Sequence, residues 1–189
     1  IASLGGESFK RLQLELGGKS AAILLDDVDI EAAVPWLIRG NWGNSGQVCT
    51  AITRVLTPRR RYADVLDALA AAASEQVVGD PLDDQTTLGP LVTQRQRDKV
   101  LGFIAAGVND GARLVTGGGR ADLDRGWFEQ PTVFSGVDNA MRIATDEIFG
   151  PVTSVIPYDS EDDAVEIAND SRYGLHGAVF ARDEAHALQ

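Results

Sequence analysis

One cysteine and two histidines in 189 residues leave little for cross-linking or metal binding. A lone thiol excludes an internal disulfide, which fits a reducing, cytoplasmic setting. Cys49, His176 and His186 show no tight ligand spacing, so no metal site is expected. Positive charge is short as well: 17 lysines and arginines stand against 28 acids, for a formal charge of −11. That balance repels a phosphate backbone, so no nucleic-acid partner is expected. No apolar run approaches the roughly 20 residues that span a bilayer, and no membrane partner is expected. Complete nucleotide-binding loops are missing too. "GGKS" at 17–20 ends like a phosphate loop, but position 13 is glutamine where that motif needs glycine. "GGG" at 117–119 lacks the spaced third glycine and following helix of a dinucleotide fingerprint.

What the chain has is regular alternation. With 44% hydrophobic residues it can bury one proper core. "RLQLEL" at 11–16 alternates as a half-buried strand does, and "SAAILLD" at 20–26 reads as a strand buried on both faces. A helix is expected from Ile30, with Pro35 in its first turns and Gly43 and Gly46 closing it. "ITRVLTP" gives a strand stopped by Pro58, followed by an alanine-rich helix over 62–76. Residues 77–90 are turn chemistry, and Thr93 with Gln96 has the spacing of a capping box before the helix "QRQRDKVLGFIAAGVNDG". "ARLVTGGG", "WFEQPTVF", "VTSVIPY" and "GAVFAR" are further strands, with a helix opened by Ser160 and Asp163 between the last two. The expected fold is α/β: an open twisted, largely parallel sheet flanked by helices. "IASLGGESF" carries no entry signal and "RDEAHALQ" reads as a helix opening cut short, so a piece of a longer protein is expected.

Three side chains invite chemistry. Cys49 follows "NSGQ" at a helix-to-strand junction, where free backbone N–H groups and glycines allow a substrate close approach. Against that stands the ordinary fate of a free cysteine, burial as a small hydrophobe. Physical reasoning leaves the two even. A hydrolase pair of Cys49 with His176 is open in principle, although His176 sits between a turn and a strand, where surface histidines are common. Glu15, before two glycines, reads either as a general base or as a solvated strand-edge carboxylate, and Glu147 as a helix-end carboxylate beside core Phe149.

Taken together the blocks resemble the aldehyde dehydrogenase superfamily. "LELGGKS" (14–20) is similar to its glutamate motif and "NSGQVCT" (44–50) to its cysteine motif, with the family's usual 34 residues between Glu15 and Cys49. "GDPLDDQTTLGPLV" (79–92), "GWFEQPTVF" (126–134), "DEIFGPV" (146–152) and "YGLHGAVF" (173–180) resemble further blocks in order, so the likeness covers the whole chain. Ala21 replaces the proline common after "GGKS".

The resemblance implies roles. Cys49 matches the nucleophile, which adds to an aldehyde and passes through a thiohemiacetal and a thioester, and Glu15 matches the base that hydrolyses the thioester. NAD or NADP is the implied cofactor. Glu147 would hold its nicotinamide ribose, with Phe149 packing nearby, the Leu16 carbonyl on the nicotinamide amide and Gln96 on the ribose side. Residues 1–16 would then end an NAD(P)-binding domain and residues 17–189 would form the cysteine-bearing catalytic domain. The implied partners are a small-molecule aldehyde and, in the full-length protein, further copies in a homo-dimer or tetramer. The rest of the cofactor domain and the asparagine completing the oxyanion hole would lie upstream, so these residues alone should oxidise aldehydes negligibly. Three rivals stand beside this reading: a cofactor-independent thiol esterase, a CoA-acylating relative, and a non-catalytic assembly domain. Glu15 weighs against the CoA-acylating form, which often lacks that base. Arginine outnumbers lysine 14 to 3, the bias of a GC-rich bacterial genome.

Overall fold

The computed structural model describes residues 1–189. Its first strand, β1 (Ala21–Leu24), is a run with apolar side chains on both sides. Successive strand residues face opposite ways, so Ala21 enters one apolar cluster and Ala22 and Leu24 the other. Around it lies a six-stranded sheet completed by β2 (Arg54–Pro58), β3 (Arg113–Thr116), β4 (Thr132–Ser135), β5 (Val152–Tyr158) and β6 (Gly177–Phe180). The strand order is β3-β4-β5-β2-β1-β6, and every neighbouring pair is parallel except β3 with β4. Helices cover both faces. Leu37 and Trp42 of α2 (Ile30–Trp42) and Val65 and Leu69 of α3 (Tyr62–Ser74) pack on one face. Val100 and Phe103 of α4 (Gln94–Asn109), Ile143 of α5 (Arg142–Thr145) and Ala164 of α6 (Glu161–Asn169) fill the other. Two short helices, α1 (Ala2–Glu7) and α7 (Glu184–Ala187), lie at the ends. No helix is long and apolar enough to cross a membrane.

Local side chains close the helix starts. Asp29 caps α2 by accepting from the Ala32 N–H, and Ser160 caps α6 by accepting from Asp163. Pro35 is the sixth residue of α2, one turn deeper than the start, and Gly43 ends the helix. Buried Arg54 is satisfied by the Lys19 carbonyl at 2.9 Å, Asn139 at 2.9 Å, and the Ile167 and Ala168 carbonyls at 2.8 Å each. The last two belong to the end of α6, where a cation answers both the orphan carbonyls and the helix dipole.

Three expectations fail. Residues 11–16 form no strand, and Leu12, Leu14 and Leu16 are 44%, 42% and 60% exposed. Alternation is a demand for a neighbouring strand, and no strand of the sheet pairs with this segment. "WFEQPTVF" forms a continuous strand only from Thr132 onward, with an isolated bridge of Glu129 to Arg120 before Pro131, which has no N–H to give a ladder. The first residues form a helix at Ala2–Glu7, without a capping side chain, where no entry signal was legible.

Candidate active site

The ends of β1, β2 and β5 that receive the chain bring three loops together: 15–20, 43–53 and 146–151. α2 stops at Gly43, and the next three residues turn left-handed, with φ of 50° at Asn44, 57° at Ser45 and 71° at Gly46. Two non-glycine residues in that conformation carry a cost, and a set of hydrogen bonds offsets it. The Ser45 hydroxyl donates to the Gly89 carbonyl at 2.8 Å, and the Gln47 amide to the Asn44 and Pro90 carbonyls. The Val92 N–H returns to Gln47 Oε1 at 2.9 Å, and Asn44 Nδ2 donates to the Gln47 carbonyl. The approach to Cys49 is thus pinned rather than loose.

Gly46 is required by its neighbour. A Cβ there would stand 2.2 Å from the Gly150 carbonyl oxygen, which is backbone and cannot swing aside. Gly46→Ala is expected to cost roughly 2–4 kcal/mol from overpacking and backbone strain together. Gly43→Ala, with nothing within 4 Å of its Cβ position, should stay within about 1 kcal/mol. Urea melts of the two variants check the contrast; equal losses would refute it.

Cys49 is half-buried, and its N–H has no backbone acceptor in the chain. Gly18 lies against its carbonyl, where a Cβ would meet the oxygen at 2.4 Å. The Gly18 N–H donates to Glu147 Oε1 at 3.0 Å, and Gly17 has room for no Cβ beside the same carboxylate, at 2.6 Å. Both glycines therefore serve close approach rather than flexibility. Phe149, two residues after Glu147, is also left-handed, at φ 59°. Gln96 supports that turn by donating to the Ile148 carbonyl at 3.0 Å and the Phe149 carbonyl at 2.7 Å. Only half of the expected capping box forms: Thr93 Oγ1 accepts from the Gln96 N–H, while the Gln96 side chain goes to the 148–149 turn. Both protons of its amide group are thus taken by the turn.

The structure thus joins the Gly17–Gly18 bend to both the Cys49 loop and Glu147, and joins Gln96 to Phe149. Glu15 and Leu16 are exposed on the segment just before the bend, with Gln13 Nε2 donating to Glu15 Oε1 at 3.3 Å. Leu16 borders a shallow cleft with Tyr173 and Leu175. His176 is exposed and makes no hydrogen bond to Cys49; it borders a different cleft with Lys19 and Arg54. Sequence reasoning missed Ser45, Gln47 and Lys19. The first two carried a signal, polar side chains packed into a turn, but their partners lie more than 40 residues away. Lys19 is 2% exposed with an unpartnered ammonium. Burial first, and then the charge of Arg54, lower its pKa to about 7, against the pull of Asp146 and Glu147. No group of three or more histidine, cysteine, aspartate or glutamate side chains is placed to hold a metal ion.

Comparisons with known proteins give the family. A family model described as the aldehyde dehydrogenase family matches residues 1–189. Geranial dehydrogenase of Castellaniella defragrans is 52% identical over 188 residues, which are 100% of this chain and 39% of that protein. Betaine aldehyde dehydrogenase of Mesorhizobium japonicum is 44% identical over 97% of this chain and 38% of its own length. An aldehyde dehydrogenase of Mycobacterium tuberculosis, solved in complex with NAD+, superposes with a TM-score of 0.95 at 49% identity, over 99% of this chain and 39% of that one. Aldehyde dehydrogenase C of Pseudomonas syringae, solved as a mutant with NAD+ and octanal, gives 0.94 at 46% identity, over 99% and 39%. The chain spans about 39% of the length of such relatives.

Proposed function

We propose a function from one premise: this chain belongs to the aldehyde dehydrogenase family. The function is NAD(P)-dependent oxidation of an aldehyde to a carboxylic acid, with these residues supplying the thiol-bearing part of the enzyme. The observation that carries this reading is the Gly17–Gly18 bend, packed between the Glu147 carboxylate and the Cys49 carbonyl. It puts the glutamate and cysteine motifs side by side, although 34 residues separate Glu15 from Cys49.

In this mechanism the Cys49 thiolate adds to the aldehyde carbon, and charge develops on the carbonyl oxygen. The Cys49 N–H, which has no backbone acceptor, is available to that oxygen. Bound NAD(P)+ supplies the hydride acceptor. Loss of hydride from the thiohemiacetal leaves a thioester on Sγ, and Glu15 takes a proton from the water that hydrolyses it. Splitting oxidation from hydrolysis avoids forming an acylium from free aldehyde. The residues present fit the nicotinamide-ribose end of the cofactor: a half-buried carboxylate at Glu147, held in place by the Gly18 N–H, beside Phe149 in a braced turn. Leu16 offers its carbonyl to the carboxamide, and Gln96 meets the ribose side.

Residues 1–16 belong, in this proposal, to the end of the cofactor domain and residues 17–189 to the catalytic domain. The exposed alternation of Leu12, Leu14 and Leu16 supports that division, since such an edge invites strand pairing. We place the enzyme in the cytoplasm as a homo-dimer or tetramer.

Glu15→Gln tests the division of labour. In the enzyme that carries these residues, aldehyde with NAD+ should give a burst of one NADH per thiol. The steady rate should then fall roughly 10²- to 10⁴-fold, the usual worth of a general base. Unchanged steady turnover would remove Glu15 from this role, and absence of a burst would remove the thioester.

A further inference from the structure

Two buried charged side chains face each other away from the thiol. Glu129 is 1% exposed and Arg97 8%. Glu129 Oε1 lies 4.0 Å from Arg97 Nε, too far for a hydrogen bond, and neither carboxylate oxygen nor that Nε has a partner. The guanidinium instead lies 4.8 Å over the Trp127 ring and reaches Asp98 at 3.5 Å. An unsatisfied buried carboxylate costs stability, and apolar residues of like size would fill the space better. Packing alone does not account for the pair.

Its place in the fold does. The Trp127 carbonyl accepts from the Leu91 N–H at 2.9 Å. Beside Leu91 are the Gly89 and Pro90 carbonyls, which accept from Ser45 and Gln47 of the thiol loop. Arg97 follows Gln96, which braces the 148–149 turn, and Glu147 just before that turn holds Gly18 against the Cys49 carbonyl. The thiol loop therefore has two supports, one through 89–92 and 127, the other through 96 and 147–149. Glu129 sits beside the first and Arg97 beside the second.

We propose that Glu129 and Arg97 are positioning residues for Cys49, a buried pair that ties the two supports together and changes the presentation of the thiol when Glu129 gains or loses its proton. The charged groups around Glu129 are Arg97 and Asp98 from α4 and Arg120 from the loop before β4. Burial is the largest influence and raises its pKa to about 7; the two arginines oppose that rise and Asp98 adds to it. Protonated, Glu129 leaves the guanidinium to Trp127 and Asp98. Ionised, it draws the guanidinium towards itself, and with it the first turn of α4 that carries Gln96.

The inference rests on Cys49 being the working thiol, but its readout needs no aldehyde turnover. Because these 189 residues hold one cysteine, iodoacetamide alkylation of the 189-residue chain reports on Cys49 alone. Alkylation rates from pH 5 to 10 are compared for the wild type, Glu129→Gln and the double variant Arg97→Met with Glu129→Met. Besides the thiol's own ionisation, the wild type should show an inflection near pH 7 with a rate change of roughly three- to tenfold, the range of coupling between contacting groups. Both variants should lose the inflection and keep the thiol ionisation. A wild-type profile with thiol ionisation alone overturns the proposal, as does an inflection that survives in either folded variant. Should Glu129→Gln unfold, the double variant decides, because replacing a buried ion pair by apolar side chains is often neutral or stabilising. An error in the catalytic reading would show instead as aldehyde oxidation that survives loss of Cys49, with these alkylation profiles unaffected.

Discussion

Cys49→Ala in the enzyme that carries this chain is expected to lower aldehyde oxidation by about 10⁴-fold or more, as removing a nucleophile does elsewhere. The size follows from the chemistry. Without Sγ there is no thiohemiacetal to release hydride and no thioester for Glu15 to open, so both halves of the reaction fail together. The fold should hardly notice. Cys49 is half-buried in a loop whose shape is set by Ser45, Gln47 and the Gly46–Gly150 contact, so loss of the sulfur should cost no more than about 1 kcal/mol. The measurements are steady-state NADH formation, a thermal melt, and iodoacetamide labelling mapped to the peptide that holds position 49, which should vanish because it is the one thiol of these 189 residues. Wild-type turnover in a folded Cys49→Ala enzyme would refute the nucleophile and favour an assembly role.

The second large effect is on stability, which should pass through a minimum near pH 7. Glu129 keeps its proton to about 7 in the folded chain, against an ordinary 4.5, because it is buried. Between those values the folded state holds a proton that the unfolded state has released. Stability therefore falls as pH rises through that window, at about 1.4 kcal/mol per pH unit for one proton. Lys19 behaves the opposite way. Burial lowers it from 10.5 to about 7, so above 7 the unfolded state binds a proton that the folded state lacks. Stability then climbs at about the same 1.4 kcal/mol per unit as pH moves from 7 towards 10.5. From pH 10 Tyr158 works against the climb, since burial raises its pKa from 10.0 to about 12. The depressed carboxyls of Asp27 and Asp159 act below 3.8, outside this range. Urea midpoints from pH 4.5 to 10.5 give the profile. Glu129→Gln should flatten the acid limb and Lys19→Met the alkaline limb. A maximum at neutral pH, or limbs that persist in these variants, would show that the two groups are not held as the structure implies.

Legibility varied with how local the cause was. The caps at Thr93 and Ser160, the stop at Gly43 and the doubly buried β1 were readable because each depends on residues a few positions away. "RLQLEL" was misread for the converse reason. Its alternation is real, but a strand needs a partner, and no strand of the sheet pairs with it. Gln96 shows the same limit in a side chain: its spacing from Thr93 announces a capping box, yet two carbonyls 52 and 53 residues away take its amide. The candidate site was legible as motifs around Glu15, Cys49 and Glu147, whereas Ser45, Gln47, Lys19 and the pair of Arg97 and Glu129 were not. Polar residues choose partners by proximity in space, and nothing in their neighbours along the chain names that partner.

By itself the sequence determined the alternation of strands and helices, their caps, the solitary thiol and its glycine-flanked approach, because these follow from backbone preferences and short-range periodicity. Only the tertiary structure decided that Glu147 grips Gly18 across 129 residues, that Gly46 lies against Gly150, and that Arg97 and Glu129 lie buried side by side. Those are contacts between distant positions, and close packing of the sheet and its helices selects them.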